Sequence, residues 1–152
     1  MTHLKQPIQP TRILIVEDNP MDVKFLQHVF EYEPGWNTEF VTVEDGEEAI
    51  EYLLHPDTPK PDLVILDLNM PKKNGIDVLK VIRTTHRFYG LRVAIFSSSP
   101  EDVIRSRLGE ANLQADDYIN KPFGFGECSS LVKRFHHCCD PGSRLSQFSV
   151  GG

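Results

Sequence analysis

A chain of 152 residues has room for one hydrophobic core, and two independent cores would be cramped. Apolar residues make up 39% of it, yet no run approaches the roughly 20 consecutive apolar residues that a membrane-spanning helix needs. Sixteen Lys and Arg against 22 Asp and Glu leave a formal charge of −6, the wrong sign for gripping a phosphate backbone. Nucleic acid and membrane are therefore not expected partners; a protein or a metal ion is.

The opening residues 1–11 lack the apolar stretch of a secretory signal and read as a flexible arm. Residues 13–16 (ILIV) form a strand-length apolar block. Asn19-Pro20 then pairs a capping side chain with a first-turn proline, opening a helix through about residue 31 with Val23, Leu26, Val29 and Phe30 on one face. A weaker strand at 40–43 precedes a helix over 45–54, and residues 55–61 make a proline-punctuated loop. The block LVIL at 63–66 leads to a helix from Gly75 to about Arg83, carrying Ile76, Leu79 and Ile82. VAIF at 93–96 leads to a helix over about 100–108, with Ser99 as its cap. Tyr118 and Ile119 are a short last strand, and about 126–137 is a fifth helix bearing Leu131, Val132 and Phe135. Branched apolar blocks without polar alternation are strands buried on both faces. Five alternations of strand and helix predict a doubly wound α/β domain over 12–139, with five parallel strands, five helices and a tail at 140–152.

Cys128, Cys138 and Cys139 are odd in number and two are adjacent, so they do not build a disulfide framework. His136 and His137 beside them raise a zinc cluster, but adjacent helical residues point apart and spaced CxxC pairs are missing. Reduced cysteines in a cytoplasmic protein are the reading preferred.

The residues directly after the strands carry the chemistry. Glu17 and Asp18 come after the first, Asp67 after the third, Ser97 to Ser99 after the fourth, and Lys121 with Pro122 after the fifth. In an open α/β sheet the crevice lies outside the carboxyl ends of the strands, so these groups converge on one edge. Two carboxylates about 4 Å apart repel by roughly 4 kcal/mol at an effective dielectric near 20. Either a proton or a cation must join Glu17, Asp18 and Asp67, and few oxygen ligands suit Mg²⁺, which keeps several waters.

The segments ILIVEDNP, DLNMPKKNG and DDYINKP, with Ser97 after the fourth strand, together resemble the receiver domain of two-component response regulators across about residues 12–137. VEDNPMDV combined with LDLNMPKKNG is most similar to the single-domain regulators that serve phytochrome-type histidine kinases. The resemblance implies the flavodoxin-like strand order 2-1-3-4-5. It implies that Asp67 is the phosphoacceptor, attacking a phosphohistidine of a histidine kinase. Asp18, Asp67 and the backbone carbonyl of Asn69 would hold Mg²⁺, with Glu17 acting largely through water. Lys121 would pair with Asp67 and then with the phosphoryl group, and a cis peptide would precede Pro122. Ser97 would be the hydroxyl switch, and Tyr118 its aromatic partner, turning inward on phosphorylation. A turn cap for Ser97 and an amphipathic surface aromatic for Tyr118 stand beside those roles. The output would be a homodimer through helix four, strand five and helix five, where Leu131, Val132, Phe135 and Cys138 offer more apolar area than one packing stripe needs. Such a protein is no enzyme beyond its own phosphorylation and dephosphorylation.

The chain departs from the family pattern in two extra residues between Ser97 and Lys121, and in Gln114-Ala115 before DDY. Two other classes compete. A haloacid-dehalogenase-type phosphatase also uses a strand-end aspartate, but resembles DxDx[TV], and Asp67-Leu68-Asn69-Met70 lacks the second acid. A flavodoxin-like FMN carrier needs a hydroxyl- and glycine-rich loop after its first strand, where Glu17 and Asp18 would repel a phosphate. About 30 residues come after Pro122, too few for a DNA-binding domain, so direct transcription control is not expected.

Overall fold

Apolar side chains on both faces of the central strands decide the architecture. The structure, a computed structural model, describes residues 10–31, 37–70 and 74–121. In chain order these form β1 (Thr11–Val16), α1 (Pro20–Glu31), β2 (Thr38–Val43), α2 (Gly46–Leu54), β3 (Leu63–Leu66), α3 (Gly75–Thr84), a 3₁₀ turn (His86–Phe88), β4 (Arg92–Ser97), α4 (Glu101–Glu110) and β5 (Asp117–Asn120). The five strands are all parallel and lie in the order β2-β1-β3-β4-β5, as the resemblance implied.

Successive strand residues point to opposite faces, which sorts each apolar block into two cores. Ile13, Ile15, Leu63, Ile65, Ala94 and Phe96 pack with Leu26, Val29 and Phe30 of α1. Leu14, Val16, Val64, Leu66, Val93 and Ile95 pack on the other face, with Leu53 of α2, Leu79 of α3 and Leu108 of α4. Blocks apolar at every position are what a sheet covered on both sides requires.

Element boundaries differ from the sequence pattern where backbone bonding outruns it. β1 starts at Thr11, inside the stretch read as an arm, because Thr11 N–H donates to Asn37 O at 3.0 Å. Ser99 does not cap α4: Pro100 holds the N-cap position without a side-chain bond, and the Ser99 N–H donates to Ser97 Oγ at 3.1 Å. The helix runs on to Glu110 and ends with Asn112 in the left-handed region, φ 58°. There Leu113 N–H reaches Leu108 O at 2.8 Å and Asn112 N–H reaches Gly109 O at 3.0 Å, the paired bonds of a Schellman ending. The 3₁₀ turn has no periodicity to betray it, yet it buries Phe88. The loop after α2 is tied down by Thr58, whose hydroxyl donates to Tyr52 O at 2.7 Å, and by Arg87, which donates to Thr58 O at 2.7 Å. The fifth helix with its apolar residues, the cysteines, His136, His137, the peptide before Pro122 and the tail lie outside the described residues.

Asp116, the first acid of DDY, fastens the start of β4 to the approach of β5. Its Oδ2 accepts the Val93 N–H at 2.7 Å and Arg83 Nη2 at 3.0 Å. Arg83 in turn donates to Leu91 O at 2.9 Å and Gln114 O at 3.2 Å. Asp116→Ala removes the acceptor for a part-buried backbone donor and should lower stability by about 1–3 kcal/mol, read from the midpoint of urea unfolding.

Candidate functional site

The sheet ladder extends one residue past three strands and sets the site. Asp67 N–H donates to Val16 O at 3.0 Å, Glu17 N–H to Val43 O at 3.0 Å, and Lys121 N–H to Ser97 O at 2.8 Å. Each functional residue is therefore held by a neighbouring strand rather than by its own loop. Glu17 and Asp67 are buried, while Asp18 is exposed. One oxygen from each of Glu17, Asp18 and Asp67 lies within 4.8 Å of the others.

Lys121 reaches into this group from the end of β5. Its Nζ stands 2.8 Å from Glu17 Oε1, 2.8 Å from Asp22 Oδ2 and 3.3 Å from Asp67 Oδ2. The other Asp67 oxygen accepts the Asn69 N–H at 3.0 Å. Glu17 Oε2 accepts the Asn19 N–H at 3.2 Å. Glu17 Oε1 is buried and takes no well-directed hydrogen bond, even though the ammonium is close.

The electrostatics derive from burial. Desolvation pushes the Glu17 carboxyl up to about 8, with repulsion from Asp67 adding to it and the nearby Lys121 ammonium opposing it. Burial alone would lower the Lys121 ammonium, but the carboxylates of Asp22, Glu17 and Asp67 around it outweigh that and raise it. Burial thus favours the neutral form of Glu17 and makes a positive charge beside it, from a proton or a cation, favourable. A buried oxygen without a directed bond, beside two more carboxylates, fits a hard divalent ion.

A close backbone approach fixes the loop bearing Asp67. A Cβ on Gly75 would stand 2.6 Å from Asp67 O and 2.7 Å from Leu68 Cα, so only glycine lets α3 begin there. Asn74 caps that helix, its Oδ1 accepting the N–H groups of Ile76 at 2.9 Å and Asp77 at 3.2 Å. Asn69 turns its side chain toward α4, where Arg107 Nη1 donates to Oδ1 at 3.1 Å.

Ser97 ends β4 fully buried, its Oγ accepting the Ser99 N–H, so the turn-cap role is one it performs. Tyr118 is 5% exposed, which excludes a surface aromatic. Its ring is packed inside the protein in this structure. Its hydroxyl accepts the Ala115 N–H at 3.1 Å, and the Arg105 guanidinium lies 4.1 Å from the ring centroid.

Glu17, Asp18, Asp67 and Lys121 thus come together, with Asn69 beside Asp67 and Ser97 bonded through its backbone to Lys121. Three participants have little or no mark in the sequence. Asp22 lies within VEDNPMDV, in the turn after the Asn19 cap, and helical geometry could have aimed it at the edge. Gly75 reads only as a helix start. Arg107 carries no local signal.

The profile of the response regulator receiver domain matches residues 13–133. The chain belongs to that family of two-component signalling proteins, whose members histidine kinases phosphorylate. Among solved structures it is similar to the phosphorylated cyanobacterial phytochrome response regulator RcpA, with 32% identity, TM-score 0.73, and coverage of 85% of this chain and 93% of that one. The Mn²⁺-bound response regulator Rcp1 is 27% identical with TM-score 0.71, covering 84% of this chain and 92% of its own. Among curated proteins, the transcriptional regulatory protein CpxR of Escherichia coli (strain K12) is 35% identical over 122 residues, 80% of this chain. The chain spans about half the length of the curated relatives it matches, 47% in that case. The family match favours neither the phosphatase nor the flavin-carrier alternative. No helix among the described residues is long and apolar enough to cross a membrane.

The raised Glu17 pKa has a definite sign. Folded Glu17 binds its proton more tightly than unfolded Glu17, so its contribution to stability is complete below about 4.5 and is lost as pH rises through about 8. Without divalent cations, urea midpoints should fall across that window. Glu17→Gln should flatten the dependence; a Glu17→Gln profile as steep as the unsubstituted protein's would assign the slope to other groups.

Proposed function

We propose that this chain is a phosphoryl-accepting signalling module in which Asp67 is the acceptor and a phytochrome-type histidine kinase the donor. The observation that carries this is the buried Asp67 carboxylate at a strand end, 3.3 Å from the Lys121 ammonium and grouped with Glu17 and Asp18. An Asp67 oxygen would attack phosphorus, the P–N bond to the kinase histidine would break, and the imidazole would leave with the electron pair. Lys121 would offer an N–H to the transferred oxygens, a point charge suited to phosphate. Glu17, Asp18, Asp67 and the Asn69 carbonyl would hold Mg²⁺, which when bound neutralises charge on the phosphoryl oxygens. The Mn²⁺-bound Rcp1 supports a divalent ion, and the phytochrome regulator RcpA supports the kinase class.

With acetyl phosphate and Mg²⁺, Asp67 should gain one acid-stable, base-labile phosphoryl group, followed by mass spectrometry and radiolabel. Asp67→Asn should lose it, and transfer from a panel of purified histidine kinases should single out phytochrome-type donors. Equal labelling of Asp67→Asn would overturn the acceptor assignment.

The output reading rests on Ser97 and Tyr118. Ser97 Oγ would leave the Ser99 N–H for a phosphoryl oxygen, and Tyr118, already inward, would be fixed there rather than drawn in. That is a population shift between two packings of one fold. The surface it alters includes α4, where Val103 is 46% exposed, and β5. A homodimer built on that face with helix five should change affinity modestly on activation, by roughly 5–150-fold. Sedimentation across a concentration series, with and without Mg²⁺ and beryllofluoride, measures it. A dimer whose contacts avoid α4 would refute the surface.

A further inference from the structure

Lys121 has three N–H donors and three carboxylates within reach. Two of them, Glu17 and Asp67, belong to the trio that could hold a cation; the third, Asp22, does not. Asp22 sits in the first turn of α1, half-buried, and approaches Nζ at 2.8 Å, closer than Asp67 does. A divalent ion among Glu17, Asp18 and Asp67 would repel the ammonium and take over its Glu17 partner. Asp22 is the one partner that such an ion leaves unchanged.

We infer that Asp22 is a positioning residue that seats the Lys121 ammonium beside the metal pocket, out of competition with the cation and still in reach of Asp67. This rests on the receiver chemistry proposed above. Without the Asp22 charge, the ammonium has only the pocket carboxylates to pair with. It then contests the same oxygens as the metal ion. The nearby Phe96 ring, with its centroid 5.6 Å from Nζ, offers a second, weaker hold on the same side chain.

Mg²⁺ affinity of the full chain, measured by calorimetry, tests the inference in two backgrounds. Asp22→Asn should weaken Mg²⁺ binding about tenfold when Lys121 is present, but only about threefold in Lys121→Ala, where the residual loss is the missing charge alone. Asp22→Glu should restore most of the loss. Asparagine keeps the shape of the first helical turn, and far-ultraviolet circular dichroism checks that the fold survives. Equal factors in the two backgrounds would reduce Asp22 to one more charge in the field and overturn its seating role. So would a crystal structure with Mg²⁺ bound in which Lys121 Nζ has left Asp22. If the unsubstituted protein binds no Mg²⁺ at all, the metal-dependent reading fails instead, a result distinct from either of these.

Discussion

One ammonium within reach of three carboxylates, with the fourth, Asp18, beside them, is the constraint around which the rest of the site is arranged. Glu17 and Asp67 are buried, and buried like charges cannot both stay ionised without compensation. Lys121 supplies one positive charge, and burial biases Glu17 toward holding a proton as well. The compensation is incomplete, since four acids face one base. That leaves a standing demand for positive charge at the carboxyl edge of the sheet. The fold meets the geometric half of this demand by holding Glu17, Asp67 and Lys121 on backbone ladder bonds, so the acids cannot drift apart to relieve their repulsion.

The sheet was legible because its three central strands each carry an unbroken apolar block, a pattern that few other structures tolerate. Residues 63–66 read as a strand with the limits the structure shows, since polar residues stand directly at both ends. Charged strand-end residues were legible for the same reason: an abrupt change from LVIL to Asp67 places a carboxylate at an edge whatever the tertiary details. The parallel order then brings the β1, β3 and β5 termini toward one crevice, and with them the trio of acids and Lys121.

Contacts that cross between elements without a local signature were not legible. Arg107 finds Asn69 across 38 residues of sequence, and nothing in the helix pattern of α4 marks it. Ser99 resembles a cap because serine at a helix start usually is one, but α4 begins at Glu101 and leaves Pro100, not Ser99, at the N-cap position. Tyr118 could be assigned to a strand but not to a depth. Its inward place depends on a partner N–H at Ala115 and on Arg105 reaching over from α4. Asp22 was visible as a helix-start acid, a bland role that hid its partnership with Lys121.

Arg105 and Arg107 leave α4 about 200° apart around its axis, as two residues of a helix must. One lies over the ring of Tyr118 on β5, and the other grips Asn69 in the loop after β3. The helix is thereby moored on two sides, like a beam resting on both banks of the crevice it spans. It cannot roll toward either bank without lengthening the mooring to the other. The two contacts therefore resist a roll of α4 and tie its position both to the loop that follows the acceptor strand and to the last strand of the sheet.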